Sequence, residues 1–192
     1  MKNLMLLSIV IVLILFSCSN SNIKISTTDS FQIIDLPDGS KAYLNKNSSL
    51  EYNKNFEQRV VTQNGEIFYS VTKGESPFIV KTNKGEIKVL GTEFNVKSSK
   101  DRLEVEVERG SVELKVNKLI KKVNKGQKVF FKEFKNGIKT SKAEFKHKNW
   151  IKNLNKELKH LSKEINKSSK HLKKDTKKIG ESLKKEFKKL KE

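Results

Sequence analysis

The sequence predicts a mainly β protein, in which an all-β domain of many short strands is followed by one long amphipathic α-helix. From Phe31 onward, short runs of alternating apolar and polar residues recur at the spacing typical of strands. Turn-forming sequences separate these runs, such as PDG at 37–39 and KG at 84–85. The residues from 145 to 190 include one glycine and no proline, and their apolar residues have the period of a helix.

The N-terminal residues have the layout of a secretory signal. Residues 4–17 are apolar apart from two serines and follow a single positive side chain, Lys2. This run is shorter than the roughly 20 residues that a membrane-spanning helix needs. The sequence LFSC at 15–18 resembles the lipobox of bacterial lipoproteins, in which the signal is removed and the cysteine becomes the lipidated N-terminus. We therefore expect a signal peptide over 1–17 and lipidation at Cys18, with an uncleaved signal anchor as the alternative.

The rest of the chain is expected in the cell envelope, lipid-anchored to a bacterial membrane through Cys18 and facing the periplasm or the surface. Residues 18–30 are small and polar, which predicts a tether between the anchor and the folded domain. The predicted β-domain covers 31–142, and the predicted lysine-rich helix covers 145–192. Acylation of the only cysteine would leave no thiol, so the fold must depend on its apolar core.

The chain is strongly basic, and the charge is concentrated at its C-terminal end. The net charge is +19, and residues 146–192 contain 17 lysines against 6 acidic residues. Such a charge favours anionic surfaces. Arginine occurs only three times in the chain, although it is the residue best suited to phosphate and base recognition. Together with export, this argues against nucleic acid as the partner.

Individual positions in the predicted β-domain also invite interpretation. The sequence NG at 64–65 reads as a turn, and Gly91 as a bulge or bend inside a strand. The clearest predicted strand covers 103–116 and carries glutamates at every second position, namely Glu104, Glu106 and Glu108. We interpret these glutamates as a solvated strand face rather than an acid or metal site, because their spacing follows the pleat.

Several segments in the same order resemble the FecR domain. They are LPDGSKAYLNKNSSLEY at 36–52, RVVTQNGEIFYSV at 59–71, PFIV at 77–80, VLGTEFNV at 89–96 and VEVERGSVELKV at 105–116. The resemblance covers roughly residues 31–135 and implies a FecR-type all-β domain, either solenoid or sandwich-like. In this family the domain relays a signal from an outer-membrane TonB-dependent transporter to a cytoplasmic sigma factor.

The resemblance therefore implies a periplasmic protein-binding or signalling module, whose partner is an envelope protein such as a TonB-dependent transporter or a regulator component. Family regulators begin with a cytoplasmic segment and a membrane-spanning helix, and they continue into a further α/β module. Here a signal with a lipobox and a lysine-rich helix occupy those places. We therefore do not expect this chain alone to control a sigma factor directly. The contrasting function is a structural envelope protein whose basic helix binds anionic membrane or polymer.

The predicted helix carries a narrow apolar stripe bordered by acidic residues, with lysines on the opposite side. A stripe of this kind favours docking or self-association, as in a coiled coil, over a membrane surface, because most lysines would point away from the bilayer. Binding of polyanionic envelope material through charge alone is a third possibility. The candidate interaction surface consists of Leu154, Leu158, Leu161, Ile165, Leu172, Ile179, Leu183 and Phe187.

No sequence pattern indicates catalysis. Nucleophilic catalysis would need an activated serine, cysteine or threonine beside a base, and all three histidines lie in the tail, at or beyond position 147. The sequence has no glycine-rich phosphate loop and no cysteine or histidine spacing of a metal site. We therefore predict a non-catalytic protein without a cofactor or a metal.

Overall fold

The computed structural model of the chain describes residues 22–132 and 135–189, which form thirteen strands and one helix. The predicted fold class, mainly β with one C-terminal helix, is confirmed. Two compact units divide at Phe145 and Lys146, and we call the described residues 22–145 the β-domain. The elements are β1 (Asn22–Ser26), β2 (Gln32–Asp35), β3 (Lys41–Leu44), β4 (Ser49–Asn53), β5 (Val60–Ser70), β6 (Phe78–Lys81), β7 (Glu86–Val89), β8 (Glu93–Ser98), β9 (Arg102–Arg109), β10 (Ser111–Val116), β11 (Leu119–Asn124), β12 (Gln127–Lys132), β13 (Lys135–Lys142) and α1 (His147–Lys189).

The strands form two sheets that share β5. The first sheet has the order β1-β4-β5-β6-β7-β10-β11, and the second has the order β2-β3-β5-β8-β9-β12-β13. Every pairing is antiparallel except that of β5 with β6. The inward side chains of both sheets form one core, as in a sandwich. Period-two alternation accounts for this core, since β4 and β10 bury every second residue.

Gly65 allows β5 to belong to both sheets. Residues 60–64 of β5 pair in the first sheet and residues 65–70 pair in the second. Gly65 lies at the change of sheet with a φ of +85°, a backbone conformation that suits glycine. The prediction of a turn at 64–65 is therefore wrong, because the glycine redirects one continuous strand instead of ending it.

The predicted strand 103–116 is also divided between the sheets. Gly110, with a φ of +83°, separates β9 in the second sheet from β10 in the first. Gly91 lies in a bend, as predicted, but this bend separates β7 from β8 instead of interrupting one strand. Both errors have one cause: alternation continues on either side of a corner where the chain changes sheet, so periodicity alone does not reveal the corner.

The β-domain begins earlier than predicted. Residues 22–26, which were expected to belong to the polar tether, form β1 and pair with β4. Ile23 and Ile25 pack partly buried against the core, and Thr27 is buried with its hydroxyl bonded to the carbonyl oxygens of Asn45 and Ser48. The alternation of only two isoleucines was too short to stand out from the surrounding polar residues.

Aromatic rings fill the centre of the core. The ring of Tyr69 stacks on Phe94, with centroids 5.3 Å apart, and lies 5.8 Å from the ring of Phe78. Tyr69 is fully buried, and its hydroxyl has no hydrogen-bond partner among residues 22–132 and 135–189. Burial raises the pKa of Tyr69 well above its ordinary value. The phenol therefore stays neutral and acts as a large apolar ring.

The helix α1 has 43 residues and continues through Gly180. At 1.5 Å per residue it is about 65 Å long. Across residues 22–132 and 135–189, no helix combines the length and the apolar character needed to cross a membrane. The signal segment 1–17 and Cys18 lie outside the described residues.

Candidate functional site

The predicted interaction surface on α1 is described only in its first half. Leu154 is buried, whereas Leu158, Leu161 and Ile165 are 43%, 54% and 67% exposed. The side chains of Leu172, Ile179, Leu183 and Phe187 lie outside the described part of the chain. Exposed leucines and isoleucines at helical spacing form a continuous apolar face. The docking function of this face stays a prediction.

The β-domain has a groove on the outer side of the first sheet, which sequence reasoning did not find. Its volume is about 500 Å³, and Leu90, at its rim, is 55% exposed. An open cleft with apolar lining and a few polar groups is typical of a binding site. The lining residues come from β7, β10, β11 and the loops beside them: Pro77, Lys88, Val89, Leu90, Gly91, Thr92, Gly110, Ser111, Val112, Glu113 and Lys122.

Close backbone packing holds the groove open. A Cβ atom at Gly91 would lie 2.9 Å from the Cα of Lys73, and one at Gly110 would lie 3.0 Å from the hydroxyl oxygen of Thr92. The Thr92 hydroxyl also donates a hydrogen bond to the carbonyl oxygen of Ser111 at 3.1 Å. These contacts hold the bend at Gly91 and Thr92 against the bend at Gly110 and Ser111. The groove is therefore formed before any ligand binds.

The sheet surface at the groove is positively charged. Glu113 on β10 lies between Lys88 on β7 and Lys122 on β11, because the register pairs it with both. Two lysines therefore flank one glutamate along the sheet, and this row of three residues carries one net positive charge. The Lys88 ammonium lies 3.4 Å from the Glu86 carboxylate, which offsets part of that charge. Chemically, this arrangement can hold an apolar side chain beside Leu90 and an acidic group beside the lysines.

The strand β11 forms one edge of the first sheet. Its described pairing is with β10 alone, and residues 119–122 are exposed on both faces of the strand. Leu119 and Ile120 are 48% and 64% exposed. With Leu90, they are the exposed large apolar residues of the described β-domain. Lys122 lies on this edge and also lines the groove, so the two features are continuous.

The interpretation of the period-two glutamates is wrong for Glu106. This residue is only 3% exposed, and its carboxylate accepts a hydrogen bond from the backbone N–H of Glu144 at 3.1 Å. The Lys128 ammonium lies 2.9 Å from the Glu104 carboxylate, 3.8 Å from that of Glu106 and 3.9 Å from that of Glu144. The physical reason is that β12 pairs with β9 and brings Lys128 over this face.

The pKa of Lys128 reflects these opposing influences. Partial burial lowers the pKa, but the hydrogen bond and charge of Glu104 and the charges of Glu106 and Glu144 outweigh burial and leave the pKa above its ordinary value. Lys128 is therefore a structural cation that neutralises part of a buried acidic group. No cluster of three or more histidine, cysteine or carboxylate residues suited to a metal ion occurs in the part of the chain that the structure describes.

Replacing Lys128 by methionine is expected to lower the free energy of unfolding by about 2 kcal/mol, because the carboxylates of Glu104 and Glu106 lose a nearby cation. Urea denaturation at pH 7 measures this change. The pKa of Lys128 is raised in the folded state, so its contribution is complete below about pH 10 and is lost as the pH rises through the raised pKa. The exposed Lys132→Met on the same strand is the control, with an expected change below about 0.5 kcal/mol. Equal effects of the two variants would contradict this role.

Arg59 is the most highly bonded side chain that sequence reasoning missed. Its Nε donates to Asp38 Oδ2 at 2.9 Å, its Nη1 to the carbonyl oxygen of Ser76 at 2.6 Å and its Nη2 to the carbonyl oxygen of Thr72 at 2.7 Å. Asp38 also accepts hydrogen bonds from the backbone N–H and the hydroxyl of Ser40. Arg59 is 7% exposed, so these bonds form away from solvent. The cluster connects three loops and has a structural function.

Comparison with known protein families finds a match within the β-domain. Residues 23–113 match the family model described as FecR protein. The match includes β2 to β9, most of β1 and the start of β10, and therefore the β7 and β10 residues of the groove. No curated protein matches the chain in sequence.

The solved structures similar to the chain include two crystal structures of a proposed anti-sigma factor from Parabacteroides distasonis ATCC 8503. The structure at 2.50 Å has a TM-score of 0.61 and 27% identity over 64% of this chain and 60% of that chain. The structure at 1.65 Å has a TM-score of 0.63 and 27% identity over 67% of this chain and 64% of that chain. The chain thus spans less than two thirds of the length of either structure.

Proposed function

We propose, from the match of residues 23–113 to the FecR family model, that the chain is a lipid-anchored cell-envelope protein whose β-domain acts as a non-catalytic protein-binding or signalling module. The similarity to a proposed anti-sigma factor supports a regulatory function. The observation that carries the proposal is the coincidence of this family match with a preformed groove on the outer side of the first sheet. In this proposal, the groove and the neighbouring edge of the sheet bind the partner.

The proposed anchor is a lipid on Cys18, which would hold the module at a bacterial membrane and face it to the periplasm or the surface. The proposed partner is an envelope protein, such as a TonB-dependent transporter or a component of a regulatory pathway, as the resemblance of the sequence implies. The apolar face of α1 is a second proposed contact, through docking or self-association. The buried polar clusters around Arg59 and Lys128 have structural functions and require no catalytic step.

A structural envelope protein is the second candidate function. In this alternative, the β-domain is only a spacer, and the basic helix binds anionic membrane or polymer. The specific observation in its favour is that Leu158, Leu161 and Ile165 are exposed on a helix rich in lysine. An exposed apolar face combined with lysines is the composition of helices that lie on anionic surfaces.

A crosslinking capture from envelope extract separates the two functions. The full chain is compared with a chain that ends at Phe145, each at low and high salt, and the captured proteins are identified by mass spectrometry. The signalling function predicts that both chains capture the same regulatory or transporter protein and that the yield survives high salt, because recognition uses the apolar groove. Capture that requires α1 and disappears at high salt would support the envelope tether instead, since screening weakens exposed charges.

Two variants control this experiment. Leu90→Ser removes the apolar rim of the groove and is expected to reduce capture, whereas Lys54→Ser, at an exposed position of the β-domain away from the groove, is expected to leave it unchanged. The Cys18→Ser variant tests the anchor separately, and it should move the protein from the membrane fraction to the soluble fraction. Membrane retention of the Cys18→Ser protein would overturn the proposed lipid anchor without affecting the proposed binding function.

A further inference from the structure

We infer that the free edge of β11 binds an extended segment of the partner that carries two adjacent acidic residues and two adjacent apolar residues. This inference rests on the proposed function and adds the chemistry of the partner. It depends on three features of β11 that occur together: a free edge, exposed apolar side chains and a cluster of lysines. A strand edge with unpaired N–H and C=O groups accepts another strand by main-chain hydrogen bonds, a common form of peptide recognition.

The exposure of β11 differs from that of the other described edge strands. The strand β1 also forms an edge, but its Ile23 and Ile25 are partly buried against the core, as are Ile34 of the edge strand β2 and Ile138 of the edge strand β13. On β11, by contrast, Leu119 and Ile120 are 48% and 64% exposed. Their apolar area is therefore open to a partner at the edge. An added strand would cover this area, which is favourable because apolar surface leaves water.

The register of β11 determines which residues the partner should carry. The pairing with β10 places Leu119 opposite Val116 and Lys121 opposite Leu114, so Leu119 and Lys121 share the inner face of the strand. Ile120 and Lys122 share the outer face, because successive side chains alternate. Each face thus offers one apolar residue followed by one lysine. A partner strand meets this pattern best with two adjacent apolar residues and two adjacent acidic residues.

Charge argues against a second copy of the chain as the occupant. The hairpin of β10 and β11, residues 111–126, contains five lysines and one glutamate. Lys118, Lys121, Lys122 and Lys125 are all exposed. Two such edges placed side by side would bring two lysine-rich hairpins together, and repulsion between their like charges is destabilising. The same lysines attract an acidic segment and increase its rate of association.

Defined peptides added to the full chain test this inference. The probes are TEEVVT for antiparallel pairing and TVVEET for parallel pairing, and the basic peptide TKKVVT is the control. We expect one acidic probe to shift the amide resonances of residues 119–122 and to protect from hydrogen exchange those amides of the segment that point away from β10, while the basic peptide has no effect. Failure of both acidic probes to affect β11, or equal binding of the basic peptide, would overturn the inference.

Reversal of charge provides a matched test. The double variant Lys121→Glu with Lys122→Glu should bind the acidic probe at least about tenfold more weakly and should gain binding of the basic peptide of the same order, TKKVVT for antiparallel or TVVKKT for parallel pairing. This gain also demonstrates that the variant is folded. The control variant Lys54→Glu with Lys100→Glu changes the net charge equally at exposed sites elsewhere, and its affinity should stay within about twofold. Equal losses in both double variants would show that only net charge matters and would overturn the inference.

The outcomes are distinguishable from those of the proposed function. If the Lys121→Glu, Lys122→Glu variant still captures the regulatory partner from envelope extract, the proposed function stands and the β11 inference fails. If the peptides bind β11 but no regulatory or transporter protein is captured, the inference stands and the proposed function fails.

Discussion

Replacing Arg59 by alanine is expected to lower the free energy of unfolding by about 3–5 kcal/mol, a large part of the stability of an ordinary domain. The guanidinium donates to Asp38 and to the carbonyl oxygens of Ser76 and Thr72. Its removal leaves a carboxylate that is 13% exposed and two carbonyl groups without their donor. Urea denaturation of the full chain, monitored by circular dichroism, measures the change.

Two variants test the geometric part of this argument. Arg59→Lys keeps the charge but presents one point donor instead of a planar fork, so it should recover only part of the stability. Arg109→Ala is the control, because the Arg109 guanidinium lies 3.1 Å from the Glu93 carboxylate but is 56% exposed. Exposed pairs contribute little, and a loss of at most about 1 kcal/mol is expected. A loss at Arg59 no larger than that at Arg109 would refute the structural role of the cluster.

Replacing Gly65 by alanine is expected to lower the free energy of unfolding by about 2–4 kcal/mol. Part of this change comes from the φ of +85°, which an L residue adopts at a cost of about 1–2 kcal/mol. The remainder comes from crowding, since a Cβ atom there would lie 2.6 Å from Ser48 Oγ and 2.7 Å from the carbonyl oxygen of Asn47. The backbone must shift to relieve these contacts.

Gly126→Ala separates the two contributions. Gly126 has a φ of +80°, but a Cβ atom added there would meet nothing within 4 Å. It should therefore show the backbone contribution alone, about 1–2 kcal/mol. The difference between the two variants in thermal or urea unfolding is the steric contribution at Gly65. If Gly65→Ala is no more destabilising than Gly126→Ala, the close packing of β5 against the turn before β4 does not limit stability.

The sequence was sufficient to predict the fold class because local signals agree with the tertiary structure along most strands. Alternation identified the buried faces of β9 and β10, and the loss of that period marked the start of α1 near residue 147. The limits of local signals appear at Gly65 and Gly110. Each glycine allows the chain to change sheet, and a change of sheet depends on partners that are distant in sequence.

The candidate site was less predictable for the same reason. Lys88, Glu113 and Lys122 are brought side by side by the pairing of β7, β10 and β11, and no local pattern relates three residues spread over 35 positions. Glu106 was wrongly predicted to be solvated, because the lysine that lies beside it, Lys128, belongs to β12 and is distant in sequence. The stripe on α1, by contrast, is a local pattern, and its described exposed members are Leu158, Leu161 and Ile165.

The distribution of strands between the two sheets has a consequence for folding. Strand pairs along the chain alternate between sheets: β2 and β3 belong to the second, β6 and β7 to the first, β8 and β9 to the second, and β10 and β11 to the first. Neither sheet can be completed from one continuous stretch of the chain. The β-domain should therefore unfold as a single cooperative unit, in which amides of the shared strand β5 exchange only on global unfolding and those of the edge strand β11 open at lower free energy.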